Sequence, residues 1–197
     1  MVSSLDTDRR RGITAGGAFV VMTGLLALLW LLEVVDQASG NSLDGYGIRA
    51  RDDDGLWHVF TAPLLHGGWP HLMSNSLPFL VLGFLVLLSG WRSWVIVTAA
   101  SVVASGAFVW VLSPPGSLTL GASGVVFGWL TYLLLRGFFS RSAGQIALAV
   151  LVFVLYGGIL WGVLPGAVGV SWQGHLGGAV GGALAAWWLH RRADAVA

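Results

Sequence analysis

The chain has no cysteine and no lysine, and only 10% of its 197 residues are charged. The missing cysteine excludes disulfides, thiol nucleophiles and zinc–thiolate sites. The scarcity of charge excludes an ordinary soluble domain, in which roughly a quarter of residues are ionised. The ten basic residues, all arginine, sit at the ends of apolar runs and form no patch, and against nine carboxylates they leave a net charge of +1. Nothing in that balance marks a nucleic-acid partner. What the chain has in excess is apolar surface: 56% of residues are hydrophobic and the mean hydropathy is +0.79. These values describe a polytopic membrane protein, with lipid as the main solvent.

The order of segments follows from the apolar runs. Residues 1–12 are polar and end in Arg9, Arg10 and Arg11. The run from about Ile13 to Val35 is too long for a signal-peptide core and matches the roughly 20 residues that cross ~30 Å of hydrocarbon. Residues 36–70 form one long loop with Asp36, Asp44, Asp52, Asp53 and Asp54. Within it, Leu56–Trp69 is half apolar and too short to span, as expected of an interfacial or re-entrant segment. Further spans are expected at 71–88, 91–112, 121–139, 145–164 and 170–189, joined by short connections. Runs of this length in lipid are helices, because only helices or closed barrels satisfy the backbone there. The fold class is therefore an all-α bundle of six transmembrane helices over residues 13–190, with 191–197 as a tail. Six spans put Arg9–Arg11, Arg92, Arg136, Arg141, Arg191 and Arg192 on one side, so both termini are expected in the cytoplasm, with the acidic loop outside.

Chemistry is concentrated in Leu120-Gly121-Ala122-Ser123-Gly124-Val125-Val126-Phe127-Gly128. A serine flanked by glycines at a helix start has backbone N–H groups free of the helix ladder and the positive end of the helix dipole beside it. That arrangement suits an oxyanion next to a nucleophilic oxygen. The serine needs a base within hydrogen-bond reach, and His175, in Trp172-Gln173-Gly174-His175, lies in the last apolar run. Gly124 and Gly128 on the fourth span, and Gly178 and Gly182 on the sixth, are each four residues apart. Such small-residue faces let helices approach closely, which would bring Ser123 to His175; ordinary helix packing explains the same glycines equally well.

Other polar groups at membrane depth are few. His71 and Asn75 share a face of the second span and can donate to a developing negative oxygen, or serve in capping and interhelical bonding. His66 is expected to bond within its loop, His58 and His190 to be interfacial, and Glu33 to reach solvent or a loop partner. No Asp or Glu falls in the other five spans. A serine hydrolase built here is a Ser–His dyad without the usual carboxylate, its histidine held by packing and the exclusion of water.

Taken together these residues resemble the rhomboid intramembrane serine proteases. The likeness rests on Gly121-Ala122-Ser123-Gly124, on His175 with Gly178-Ala179-Val180-Gly181-Gly182, and on His71-Leu72-Met73-Ser74-Asn75 with His66 five residues earlier. It covers residues 13 to 190 in the six-span form of the family. The resemblance implies Ser123 as nucleophile and His175 as general base and then acid. It also implies an oxyanion hole from the Ser123 N–H, His71 and Asn75, with Gly121, Gly124, Phe127, Gly178 and Gly182 in support. It further implies cleavage of transmembrane-anchored protein substrates near the outer face of the cell membrane, a site open to the exterior, and no cofactor. Two positions depart from the family pattern. Phe127 stands where a tyrosine often stacks on the histidine, and Trp57-His58 where the first loop has Trp-Arg. A catalytically silent relative that binds membrane clients usually lacks the serine or the histidine, and both are here. A small transporter using His71 and His175 as relays would favour inverted repeats, which the sequence does not show.

Overall fold

A computed structural model describes residues 13–140 and 142–194, and the side chains of all of these except Asp54 and residues 191–194. The expectations for 1–12, for Arg141 and for the last three residues lie outside what is described. Six α-helices carry the architecture: α1 (Ala15–Ala38), α2 (Trp69–Leu87), α3 (Trp91–Leu112), α4 (Ser123–Ser140), α5 (Ala143–Tyr156) and α6 (Trp172–Asp194). Helices α1 to α4 and the stretch Ala143–Val163 are long and apolar enough to cross a membrane. The chain is a multi-pass membrane protein of helical-bundle class. Helix α6 is as long but rich in glycine and alanine, and it packs against α3 and α4.

Helix boundaries differ from the apolar runs where polar residues are held by the fold. Thr14 opens α1 by accepting a hydrogen bond from the Gly17 N–H at 3.1 Å. The helix continues past Val35 because the carboxylate of Asp36, 3% exposed, accepts from the Leu43 N–H at 2.7 Å. Glu33 is 2% exposed, so it does not reach solvent; it bonds Gln37 of its own helix at 3.0 Å and meets the backbone of Gly68 at the end of the loop. Helix α2 begins at Trp69, with Pro70 in its first turn after Gly68 at φ +105°, as suits a residue lacking an N–H. The expected fifth span is two pieces. The α-helix ends at Tyr156, and Gly157–Val163 is a 3₁₀ turn, because Gly157 and Gly158 lower helix propensity and the tighter winding takes over.

Helix α4 is the central element. It packs against α2, α3, α5 and α6, and 56% of its apolar stretch is buried, against 6% for Ala143–Val163. Its inward residues Val125, Val126, Trp129, Leu130, Tyr132 and Leu133 join Met22, Leu72, Leu82 and Val86 in the main core. Exposed Ile146, Val150, Leu151, Phe153 and Val154 cover α5, an apolar face of the kind that lipid solvates. Between α1 and α2 the long loop forms three short 3₁₀ turns, Ser42–Tyr46, Asp53–Val59 and Ala62–Leu64. It also supplies β1 (Ile48–Arg49), which pairs antiparallel with β2 (Leu118–Thr119), Ile48 opposite Thr119. The loop is thereby fastened to the strand that leads into α4.

Candidate active site

Glycine packing sets the distance between α4 and α6. A Cβ at Gly178 would lie 2.7 Å from the Gly124 carbonyl carbon, and one at Gly182 would lie 2.7 Å from that of Gly128. On the other side of α6, a Cβ at Gly177 would meet the Ser105 Cα at 2.8 Å on α3. Only hydrogen fits at these crossings, so α6 sits backbone to backbone against both neighbours.

That approach joins Ser123, the first residue of α4, to His175 in the first turn of α6. The Ser123 hydroxyl lies 2.8 Å from His175 Nε2. The other ring nitrogen, Nδ1, is 2.9 Å from the Gly162 carbonyl oxygen. A carbonyl can only accept, so Nδ1 carries the ring proton and Nε2 is left to accept from the serine. The ring of Phe127 stacks on the imidazole with centroids 4.1 Å apart and planes at 13°. Packing and exclusion of water are thus joined by an orienting acceptor that the apolar run through 164 does not reveal. The 3₁₀ turn supplies it, and Gly157-Gly158 is the signal in the sequence that the α-helix stops short. Gly162 also leaves room for the pair: a Cβ there would lie 2.9 Å from Phe127 Cζ and 3.0 Å from His175 Nδ1.

His71 and Asn75 come to the same place from α2. His71 Nδ1 accepts from the Gly67 N–H at 3.4 Å, which leaves Nε2–H free to donate. Its ring lies against Gly121, where a Cβ would be 2.8 Å from Nε2. Gly121 also has φ +127°, so both its backbone conformation and the approach of His71 require glycine. Asn75 is 6% exposed and gives one amide hydrogen to the His71 carbonyl at 3.0 Å, keeping the second. Ser123, His175, His71 and Asn75 all line one cavity of about 840 Å³, with Phe127, Gln173 and Asp44 also in its wall. Its mouth is built from the α1–α2, α3–α4 and α5–α6 connections, which lie at one end of the bundle.

His66 does not bond within its loop. It is 2% exposed, and its Nε2 accepts from the Ala122 N–H, 3.4 Å away, steadying the backbone one residue before Ser123. Burial, with the neighbouring His71, pushes its pKa down to about 3, so the ring is neutral. His58 packs edge-on to Trp57 and Tyr46 in the loop, far in sequence from the dyad. His190 donates Nδ1–H to the Ala186 carbonyl at 2.7 Å near the end of α6. Neither lines the cavity.

The chain is similar to known proteins over most of its length. A family model described as a Rhomboid domain matches residues 53–192. An uncharacterized protein of Mycobacterium tuberculosis is 45% identical over 191 residues, covering 93% of this chain and 78% of that protein. One from Mycobacterium leprae is 42% identical over 192 residues, covering 93% and 75%. A Bacillus subtilis protein named as a candidate rhomboid protease is 28% identical over 175 residues, covering 84% and 86%.

Proposed function

The chain belongs to the rhomboid family, and on that premise we propose that it is an intramembrane serine endopeptidase acting through a Ser123–His175 dyad. The observation that carries this reading is the relay from Ser123 Oγ to His175 Nε2 at 2.8 Å and from Nδ1 to the Gly162 carbonyl at 2.9 Å. In the proposed first half-reaction His175 takes the hydroxyl proton as Ser123 attacks the carbonyl carbon of a peptide bond. The resulting oxyanion is held by the Ser123 N–H, at the start of α4, and by His71 Nε2–H and the spare amide hydrogen of Asn75. His175 then protonates the departing amine, and water enters to release the acyl-enzyme. Gly162 plays the part a carboxylate plays in soluble enzymes, fixing the tautomer with a neutral acceptor that needs no charge at membrane depth. Asn75 and His71 fix where the oxyanion forms; Phe127 holds the imidazole plane.

In this reading α6 is the sixth span, and the cavity mouth opens to the exterior, with both termini cytoplasmic. Transmembrane-anchored proteins in the lipid bilayer are its substrates, cut near the outer membrane face, without a cofactor. The test is fluorophosphonate labelling of detergent-solubilised protein, with cleavage of a single-span reporter in liposomes. Ser123→Ala and His175→Ala are expected to abolish both signals. Asn75→Ala and His71→Ala should each lower turnover by about 10²–10³, the usual effect of losing one oxyanion donor. Cleavage by Ser123→Ala at the wild-type rate overturns the assignment. Client binding by a well-folded wild type that neither labels nor cleaves supports a silent relative instead.

A further inference from the structure

The wall of the cavity is uncharged except at one residue. Among the described residues that line it, Asp44 is the sole carboxylate, and no arginine is present. Asp44 lies in the 3₁₀ turn Ser42–Tyr46, half-buried, and its Oδ1 is buried without a hydrogen-bond partner. A buried carboxylate oxygen without a donor is costly; neighbouring Asp36 accepts from the Leu43 N–H at 2.7 Å, and Glu33 Oε1 accepts from Gln37 at 3.0 Å while its Oε2 also lacks a partner. Of the two carboxylates with an unpartnered oxygen, Asp44 and Glu33, Asp44 is the one that lines the cavity.

Asp44 is also held firmly. Its carbonyl accepts from the Gly47 N–H at 2.9 Å, and Gly47 presses on Leu118, where a Cβ would lie 2.8 Å from Cδ1. Leu118 and Thr119 form β2, and the chain runs from there through Gly121 to Ser123. The carboxylate is thus fixed relative to the strand that leads to the candidate nucleophile. Its charge does not stand alone, since Asp36 acts on it and Glu33 lies close enough to feel both Asp36 and Asp44. This end of the cavity has a negative field and a carboxylate with one unpartnered oxygen.

We propose that Asp44 is a specificity-determining residue: it selects substrates with an arginine or lysine within a few residues of the scissile bond, and its carboxylate accepts charge-assisted hydrogen bonds from that cation. The proposal rests on the protease reading above. A neutral donor would satisfy Oδ1 but gain nothing from the surrounding carboxylates, whereas a guanidinium or ammonium does both. An acidic side chain would be rejected by the same field.

The experiment uses the full chain in detergent micelles and single-span substrates differing at one residue. Arginine, glutamine or glutamate is placed in turn at each of the five positions on either side of the cut. At one or more positions arginine is expected to exceed glutamine by about three- to tenfold in kcat/KM, mainly through KM, as suits a partly solvated ion pair. Glutamate should fall below glutamine. Asp44→Asn should bring the arginine-to-glutamine ratio near one, and Asp44→Glu should restore part of it. Fluorescence anisotropy of the same peptides with Ser123→Ala, with and without Asp44→Asn, reads selection without turnover. Cleavage with no arginine preference, or a preference that survives Asp44→Asn, overturns the proposal and leaves the protease reading standing. Arginine-selective binding that Asp44→Asn removes, in a protein that cleaves nothing, supports Asp44 as a cation-selecting residue and overturns the protease reading.

Discussion

Alanine at Gly178 tests whether helix approach creates the dyad. The added Cβ would lie 2.7 Å from the Gly124 carbonyl carbon and 3.0 Å from its Cα. Non-bonded carbons settle at about 3.5–4.0 Å, and the obstacle is backbone, which cannot rotate away. Helices α4 and α6 must therefore part by about 1 Å at this crossing. Ser123 adjoins Gly124 and His175 lies three residues before Gly178, so their 2.8 Å contact would stretch beyond hydrogen-bond range. A displacement of about 1 Å at reacting groups costs on the order of 10²-fold in rate. Gly178→Ala is thus expected to lose about 99% of its turnover and most of its fluorophosphonate labelling. Thermal unfolding in detergent should still show a folded bundle, since overpacking of this kind costs about 1–3 kcal/mol. Gly144→Ala is the control, because nothing lies within 4 Å of a Cβ there. A Gly178→Ala protein that labels and cleaves like wild type would falsify the link between glycine packing and the dyad.

Two further outcomes follow from the site. His66 has a pKa of about 3 when folded against about 6.5 in an unfolded chain, so below pH 6.5 the unfolded state binds the extra proton. Stability contributed by this residue then falls by about 1.4 kcal/mol for each pH unit, or about 2 kcal/mol by pH 5. Unfolding midpoints measured from pH 7.5 to 5 should decline more steeply for wild type than for His66→Gln, and parallel curves would refute the buried neutral ring. Phe127→Leu keeps an apolar side chain but removes the ring stacked on His175, a contact worth about 0.5–1.5 kcal/mol. Turnover should drop about two- to tenfold in Phe127→Leu and stay within about threefold of wild type in Phe127→Tyr; equal rates for all three would show that stacking does not hold the imidazole.

Much of this molecule is legible in one dimension. The apolar runs give the all-helical membrane class, because a bilayer leaves the backbone few alternatives. The residues that the structure gathers around one cavity, Ser123, His175, His71 and Asn75, stand out as polar groups in apolar surroundings. The glycine pairs at 124/128 and 178/182 mark the faces that meet, because close approach has a compositional signature that periodicity alone exposes. Less legible are partners made from main chain or from distant loops. The carbonyl that orients His175 belongs to Gly162, a residue without a side chain to announce it, and it is available because the fifth apolar run changes from α to 3₁₀ winding after Tyr156. His66 reaches across 56 residues to the Ala122 N–H, and Asp44 joins the cavity wall from a loop fastened by the pairing of β1 with β2. Side-chain chemistry and hydrophobic period are local properties and are written in the residue order. Which carbonyl, amide or loop carboxylate faces a given side chain depends on where separate segments cross, and that is settled only when the helices pack.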